Sequence, residues 1–327
     1  MNDREIRSLR GPKPAVDPWK AHGWVVDEER RPGGRVESAL TVFLAGAECP
    51  FTCVFCDLWR YTIDGPTPAG AIPKQVADTL AATSPAPTRP DRIKLYNASN
   101  FFDRRAVPST DLPRVAQLCA GFGGVTVESH AATVGRATLE FSCSLSEAGG
   151  GTRLEIAMGL ETIHPDASKR LNKRLDLTRF DDAARMLAEN EIAVRVFVLL
   201  GAPYVPREES IEWTVRSAEF ASRRGAALVS IIPVRGGNGA MEWLAGRGEF
   251  APPTLRELEL ALDRCLGWPN TVVTADLWDA SLLPACSLCR DTRIERMCRI
   301  NVTGRDEPSV ECSACGGTPG ALELSAP

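Results

Sequence analysis

The sequence predicts an α/β protein: a parallel (β/α) barrel, full or partial, followed by a small cysteine-rich metal-binding ribbon. Three observations predict it. Apolar runs of strand length recur at 39–44, 92–96, 124–128, 153–158, 193–200, 227–233 and 271–277, and several are near-continuously apolar, as strands covered on both faces are. Helix-like segments lie between them, and alternation of strand and helix argues for a parallel sheet. After Leu283 the pattern changes to Cys, Arg, Gly and Pro, which marks a small metal-tied appendage.

Residues 1–38 are rich in Pro, Gly, Arg and Glu, lack apolar periodicity, and read as an irregular surface lead-in. The barrel core runs from 39 to 283. The helix at 73–82 opens with Pro73 in its first turn, and that at 112–119 follows Asp111. The helix at 178–190 opens with Thr178 and spaces Phe180, Ala183, Ala184 and Leu187 along one face. Segments 207–224 and 254–266 complete the set, the last behind Pro252 and Pro253. Residues 284–327 form the appendage. In such a barrel the chemistry belongs at the carboxyl ends of the strands.

Composition excludes several classes. With 327 residues, 44% of them hydrophobic, the chain can bury a large core. Its formal charge of −4 gives no global sign of nucleic-acid binding. The start, MNDREIRSLRG, is charged and has no apolar leader; the most apolar stretch, 192–202, is short and contains Arg195. A cytoplasmic protein without a membrane span is expected. Eleven cysteines, an odd number, argue there for metals rather than disulfides. Eight fall in two groups, at 49–56 and 286–315, while Cys119, Cys143 and Cys265 stand alone and read as small buried hydrophobes.

The first group is Cys49-x3-Cys53-x2-Cys56, on a loop directly after the first apolar run. Three thiolates on a short loop can grip three irons of a [4Fe–4S] cubane and leave the fourth iron open. An open iron can be chelated by the amino and carboxylate groups of S-adenosylmethionine, whose carbon–sulfur bond one electron then breaks. A structural zinc site ordinarily has four ligands, and no fourth Cys or His lies nearby.

With the aromatic Phe55 just before Cys56, this pattern resembles the radical S-adenosylmethionine superfamily. Later segments, Ala157 to Thr162, Leu171-Asn172-Lys173 and 196–203, are similar to the radical domain of the elongator catalytic subunit, and closer still to the radical subunit of archaeosine synthase. The resemblance implies that Phe55 packs near the adenine. It implies methionine contacts from the loop Tyr96-Asn97-Ala98-Ser99-Asn100, with Asn97 and Ser99 as candidate ligands, since the usual glycine–glycine–glutamate run is absent. Glu128 falls in the cofactor region, and the Gly236-Gly237-Asn238-Gly239 loop would flank the adenine. Glu128 and Glu161 also end apolar runs, where barrel active sites gather, so hydrogen bonds to the cofactor are weighed against capping roles. Arg195, inside an apolar run, either holds the cofactor carboxylate or pairs with a carboxylate on a neighbouring strand. His130 reads as a local hydrogen-bonding residue or a proton carrier. Asp276 and Trp278 are candidates for the substrate cavity, with packing the simpler role for the tryptophan.

The second group comprises Cys286-x2-Cys289 and Cys312-x2-Cys315, 22 residues apart, with Cys298 between them. Two such knuckles supply four thiolates, the composition of a structural zinc site, and Gly316-Gly317 suits a tight knuckle turn. A second iron–sulfur cluster is the rival, kept alive by Cys298. Arg290, Arg293, Arg296, Arg299 and Arg305 either contact phosphate or RNA, or are neutralised by Asp291, Glu295, Asp306, Glu307 and Glu311. The resemblance implies a lyase-type reaction on a modified nucleoside or tRNA base, with a reductase or a flavodoxin- or ferredoxin-type electron donor as partner. Two other classes stand beside it: small-molecule biosynthesis by the same chemistry, and a non-catalytic iron–sulfur or zinc-binding protein.

Overall fold

The computed structural model describes residues 1–84 and 88–315, so the knuckle turn expected at Gly316-Gly317 lies outside the described residues. Eight strands form one sheet in sequence order: β1 (Gly23–Arg30), β2 (Val36–Phe43), β3 (Arg92–Tyr96), β4 (Gly124–Glu128), β5 (Arg153–Glu161), β6 (Ala193–Leu200), β7 (Leu228–Pro233) and β8 (Val272–Ala275). Strand β1 pairs antiparallel with β2; every later pair is parallel. The sheet curls into a half-barrel, so the partial form of the predicted barrel is the one adopted. The helices are α1 (Asp3–Ser8), α2 (Ala71–Thr83), α3 (Leu112–Cys119), α4 (Arg136–Glu147), α5 (Ala167–Arg170), α6 (Leu177–Glu189), α7 (Ser210–Arg223), α8 (Ala240–Ala245), α9 (Leu255–Asp263) and α10 (Arg290–Thr303). No helix among the described residues is long and apolar enough to cross a membrane.

The lead-in expected to be irregular instead contributes α1 and an edge strand. Strand β1 escaped notice because its second half, Asp27 to Arg30, is all charged. Of these charges Glu29 is buried and has partners inside the half-barrel, while Asp27 and Glu28 are exposed. Lys94 of β3, Thr126 of β4, Glu155 of β5 and Arg195 of β6 point to one face and meet Glu29 and Arg31. Arg195, 5% exposed, donates from Nη2 to Glu29 Oε1 (2.5 Å) and from Nε to Glu155 Oε1 (3.0 Å). Arg31 pairs with both carboxylates, Lys94 Nζ lies 3.1 Å from Glu29, and Thr126 donates to Glu155 (3.0 Å). Of the two roles considered for Arg195, the structure therefore selects pairing with a neighbouring strand. A buried charge is tolerated only when matched in this way. The network fills the interior near the amino ends of the parallel strands. Two residues further on, the same face carries Tyr96, Glu128, Ala157 and Phe197 toward the carboxyl ends, where the Tyr96 and Phe197 rings meet edge-on at 6.4 Å.

The appendage is more helical than a ribbon. Helix α10 lies against β1, β8 and α9, across the side where the sheet stays open. Asn301 finishes the last strand: its side chain accepts from the Ala275 N–H (2.9 Å) and donates to the Ala275 carbonyl (2.8 Å), copying a neighbouring strand. The arginines of α10 are mostly spoken for. Arg293 and Arg296 are buried on Glu259 of α9, and Arg296 also reaches Asp263 (2.9 Å), while Arg299 pairs with Glu307 (2.9 Å). Neutralisation holds, but with Glu259 and Asp263 as the main partners. Cys119 and Cys265 are buried as expected; Cys143 is exposed, on the solvent face of α4.

Candidate active site

The chain leaving β2 enters the loop of Cys49, Cys53 and Cys56. All three thiols are partly buried. Burial pushes Cys49 up to about 11 and Cys53 and Cys56 up to about 12, so only a bound metal would make them thiolates near neutrality. Three polar clamps shape the loop. Asn172, in the left-handed region at φ 55°, sets its amide nitrogen 2.9 Å from the Thr52 carbonyl and 2.7 Å from Asp3 Oδ1. Thr52 Oγ1 donates to the same Asp3 oxygen (2.6 Å). The Asn172 and Thr52 hydrogen bonds, with Arg174 beside them, hold the Asp3 carboxyl down at about 2. From the far side, Asn238 donates to the carbonyls of Val54 (2.8 Å) and Cys56 (3.2 Å).

The loop after β3 lies beside this one. Asn97 is wholly buried, and neither of its side-chain polar atoms has a partner; Ser99 Oγ and Asn100 Nδ2 are also buried and unpartnered. Buried polar groups are nearly always satisfied, so orphans clustered on one loop point to a missing ligand. Ala98 between them sits at φ 52°, a strained setting for a residue with a Cβ. Glu128 ends the next strand. Burial raises its carboxyl to about 7, the Asn97 N–H and Lys173 opposing only part of the rise. His130 closes the wall. Its ring stacks on Phe51 at 4.0 Å, Nδ1 accepts from the Ala132 N–H (3.1 Å), and Nε2 is 3.1 Å from the Lys173 carbonyl. That pattern fits the neutral imidazole protonated at Nε2, and burial lowers its pKa to about 4. His130 is thus a local hydrogen-bonding residue.

Glu161 ends β5 beyond a bulge, at φ 68°. Its carboxylate takes a hydrogen bond from Lys173 Nζ (2.8 Å), and both groups are buried near the cysteine loop. Burial works against the Lys173 charge, but Glu161 and the neighbouring cysteines hold its pKa above the usual lysine value. The sequence reading assigned Lys173 no role; its place in Leu171-Asn172-Lys173, a turn that needs a left-handed Asn, was the available signal. Gly159 makes room for the pair, since a Cβ there would meet Glu161 Oε1 and stand 2.7 Å from Lys173 Nζ. Gly159→Ala is therefore expected to destabilise the fold by about 1–3 kcal/mol through overpacking. Thermal unfolding checks this, and an unchanged midpoint would show that the pair is free to move aside.

No protein-family model matches the sequence, and no curated protein matches it. Solved structures do. Elp3 of the archaeon Methanocaldococcus infernus, crystallised with residues 1–46 deleted, superposes with a TM-score of 0.50 at 17% identity over 69% of this chain. This chain spans 59% of that one. Methylornithine synthase (PylB) gives 0.48 at 15% identity, covering 71% of this chain and 63% of that one. The radical SAM enzyme coproporphyrinogen III oxidase (HemN) of Escherichia coli gives 0.44 at 11%, covering 77% and 52%. The chain shares the fold of the archaeal Elp3.

On this fold the remaining candidates fall as follows. Phe55 packs into a small apolar cluster with Val54, Leu171, Val234 and Met241. In the glycine loop after β7, a Cβ on Gly239 would collide with the Leu9 carbonyl, Gly237 faces open space, and Asn238 holds the cysteine loop. Asp276 accepts from the Trp278 N–H (2.9 Å), and burial raises its carboxyl. Trp278 is 58% exposed and tilts against Phe43 at 5.5 Å, so it forms a rim. In the appendage, the sulfurs of Cys286, Cys289, Cys312 and Cys315 all lie within 4.8 Å of one another, with Cys286–Cys312 at 3.8 Å and Cys289–Cys315 at 3.7 Å. Cys298 is exposed and outside this group. The knuckle N–H groups of Ala314 and Cys315 pull the Cys312 thiol down to about 6, and Arg293 Nε donates to Cys289 Sγ (3.3 Å). This four-sulfur group can hold a metal.

Proposed function

We propose that the protein is a radical S-adenosylmethionine enzyme acting on a small substrate of nucleoside size. The unpartnered polar atoms of Asn97, Ser99 and Asn100 beside three cysteines carry the reading, since a methionine amino and carboxylate group would satisfy them. When bound, a [4Fe–4S] cluster and S-adenosylmethionine supply reductive carbon–sulfur cleavage and a radical able to take a hydrogen atom. The chain's own residues prepare that event. Cys49, Cys53 and Cys56 would hold the cluster; Asn172 and Asn238 hold their loop in place. Asn97 and Ser99 orient the methionine end, Glu128 and Glu161 the remaining polar edge, and Phe55 the adenine side. Tyr96, Phe197 and Asp276 border the interior where a substrate would sit, and the charged plug beneath excludes bulk water. Three of the four arginines of α10, Arg293, Arg296 and Arg299, are engaged in ion pairs, which favours a small molecule over a tRNA held on the appendage.

The four tail sulfurs are read as a zinc site. Bonds of about 2.3 Å to one tetrahedral ion place sulfurs about 3.8 Å apart, matching both separations; the thiolates of a cubane sit on four different irons and stand further apart. Anaerobic reconstitution, strong reductant and an assay for 5′-deoxyadenosine test the enzymatic reading. Product above background is expected even without substrate. No product from a fully loaded cluster, with or without candidate substrates, would sink it.

A further inference from the structure

Reduction of a cluster needs a one-electron donor, and the described residues offer a place for it beside the cysteine loop. A cavity of about 540 Å³ opens on the outer side of the cysteine loop, and Cys49 alone of the three cysteines lines it. Four cations surround it: Arg7 of α1, Arg10, Lys13 and Arg105. Glu48 and Asp64 are the only carboxylates on its wall, which leaves four cations against two anions, an excess of two positive charges on a chain of formal charge −4. Arg10 pairs with Glu48 (2.8 Å) and lies 4.8 Å over the buried Trp59 ring, with Nε buried and unpartnered. Lys13 pairs with Asp64 (3.1 Å). Arg7 and Arg105 are exposed, and among the described residues their side chains have no ion-pair or hydrogen-bond partner. Neither Asn97, Ser99 nor Glu128 lines the cavity. A substrate lodged there would not face the proposed cofactor wall, whereas electron entry requires only closeness to a cluster ligand.

We infer that this basic mouth is the docking surface for an acidic one-electron carrier protein, with Arg7 and Arg105 as its guiding charges. The inference rests on the enzymatic reading above. In the step, one electron leaves the carrier and enters the cluster; no bond or proton changes hands. Unpaired cations on a locally reversed charge field accelerate encounter with an anionic partner and lose that effect as salt screens them.

The test uses the full chain, reconstituted, as wild type, Arg7→Glu/Arg105→Glu and the milder Arg7→Gln/Arg105→Gln. Iron and sulfide are counted first. Cluster bleaching is then followed with reduced flavodoxin or ferredoxin as protein donor, and with photoreduced deazaflavin as a small donor. The charge-reversed variant should slow reduction by either protein at least tenfold at low salt and flatten its salt dependence, with the deazaflavin rate unchanged and the Gln variant intermediate. An unchanged protein-donor rate, equal slowing with deazaflavin, or a wild type that neither carrier reduces overturns the docking surface. Lost retention of tRNA at an unchanged donor rate assigns the patch to RNA and also overturns it. A wild type that takes up no iron fails at the counting stage, which marks failure of the enzymatic reading itself.

Discussion

Replacing Cys49, Cys53 and Cys56 together by alanine is expected to remove about four irons and four sulfides per chain, to abolish 5′-deoxyadenosine formation, and to leave one metal ion in the tail. The loop should keep its path, because its clamps are Asp3, Thr52, Asn172 and Asn238 rather than the thiols. The tail sulfurs already stand at the separations of a single tetrahedral site. Metal and sulfide analysis of the triple variant checks this. Residual zinc agrees with the assignment; residual iron with sulfide would mean that the tail holds a cluster.

The largest effect on stability is expected from Glu155→Ala. Glu155 is fully buried and accepts from Arg31, Arg195 and Thr126. Its removal leaves two buried guanidinium groups competing for Glu29, and breaking a buried pair in this way costs about 3–5 kcal/mol. Urea unfolding would register that loss as a lower midpoint. The same residue sets an acid limit. Burial alone would raise its carboxyl, but Arg195, Arg31 and Arg92 reverse this and hold it at about 2, against 4.5 for an ordinary glutamate. Its stabilising contribution is therefore complete above pH 4.5 and is lost as pH falls toward 2. Wild-type stability should drop steeply through that window, and Glu155→Ala should drop less. Parallel pH profiles for the two would refute the role given to Glu155.

The parallel strands were legible because they are buried and mostly apolar runs of strand length, and the seven runs fall on β2 to β8. Strand β1 and helices α4 and α10 were not, each for a physical reason. The inward charges of β1 are satisfied by residues such as Arg195, far along the chain. Helix α4 buries only Thr138, Phe141 and Leu145, too thin a stripe among serines to stand out. Helix α10 buries two arginines, which no apolar periodicity can register. At the site, cysteine spacing carried the most information, since ligand number and loop length constrain the chemistry directly. Lys173 was the main omission: an ammonium earns meaning only from the carboxylate it meets, and Glu161 reaches it through a bulge that a linear pattern does not encode.

The contact of α10 with β1 has a consequence for biosynthesis. The clamps of the cysteine loop come from Asp3, Asn172 and Asn238, so a nascent chain holds all of them once its first 240 or so residues are free to fold. Asn301 and the turn at Gly304, whose missing Cβ leaves space for the Arg30 guanidinium, arrive later. Asn301 joins the end of α10 to β8, while the Gly304 turn meets Arg30 of β1, across most of the described chain. Contacts of such long sequence separation form slowly. The cysteine-rich tail is in this sense a latch, fastened behind a cysteine loop whose clamps were made earlier.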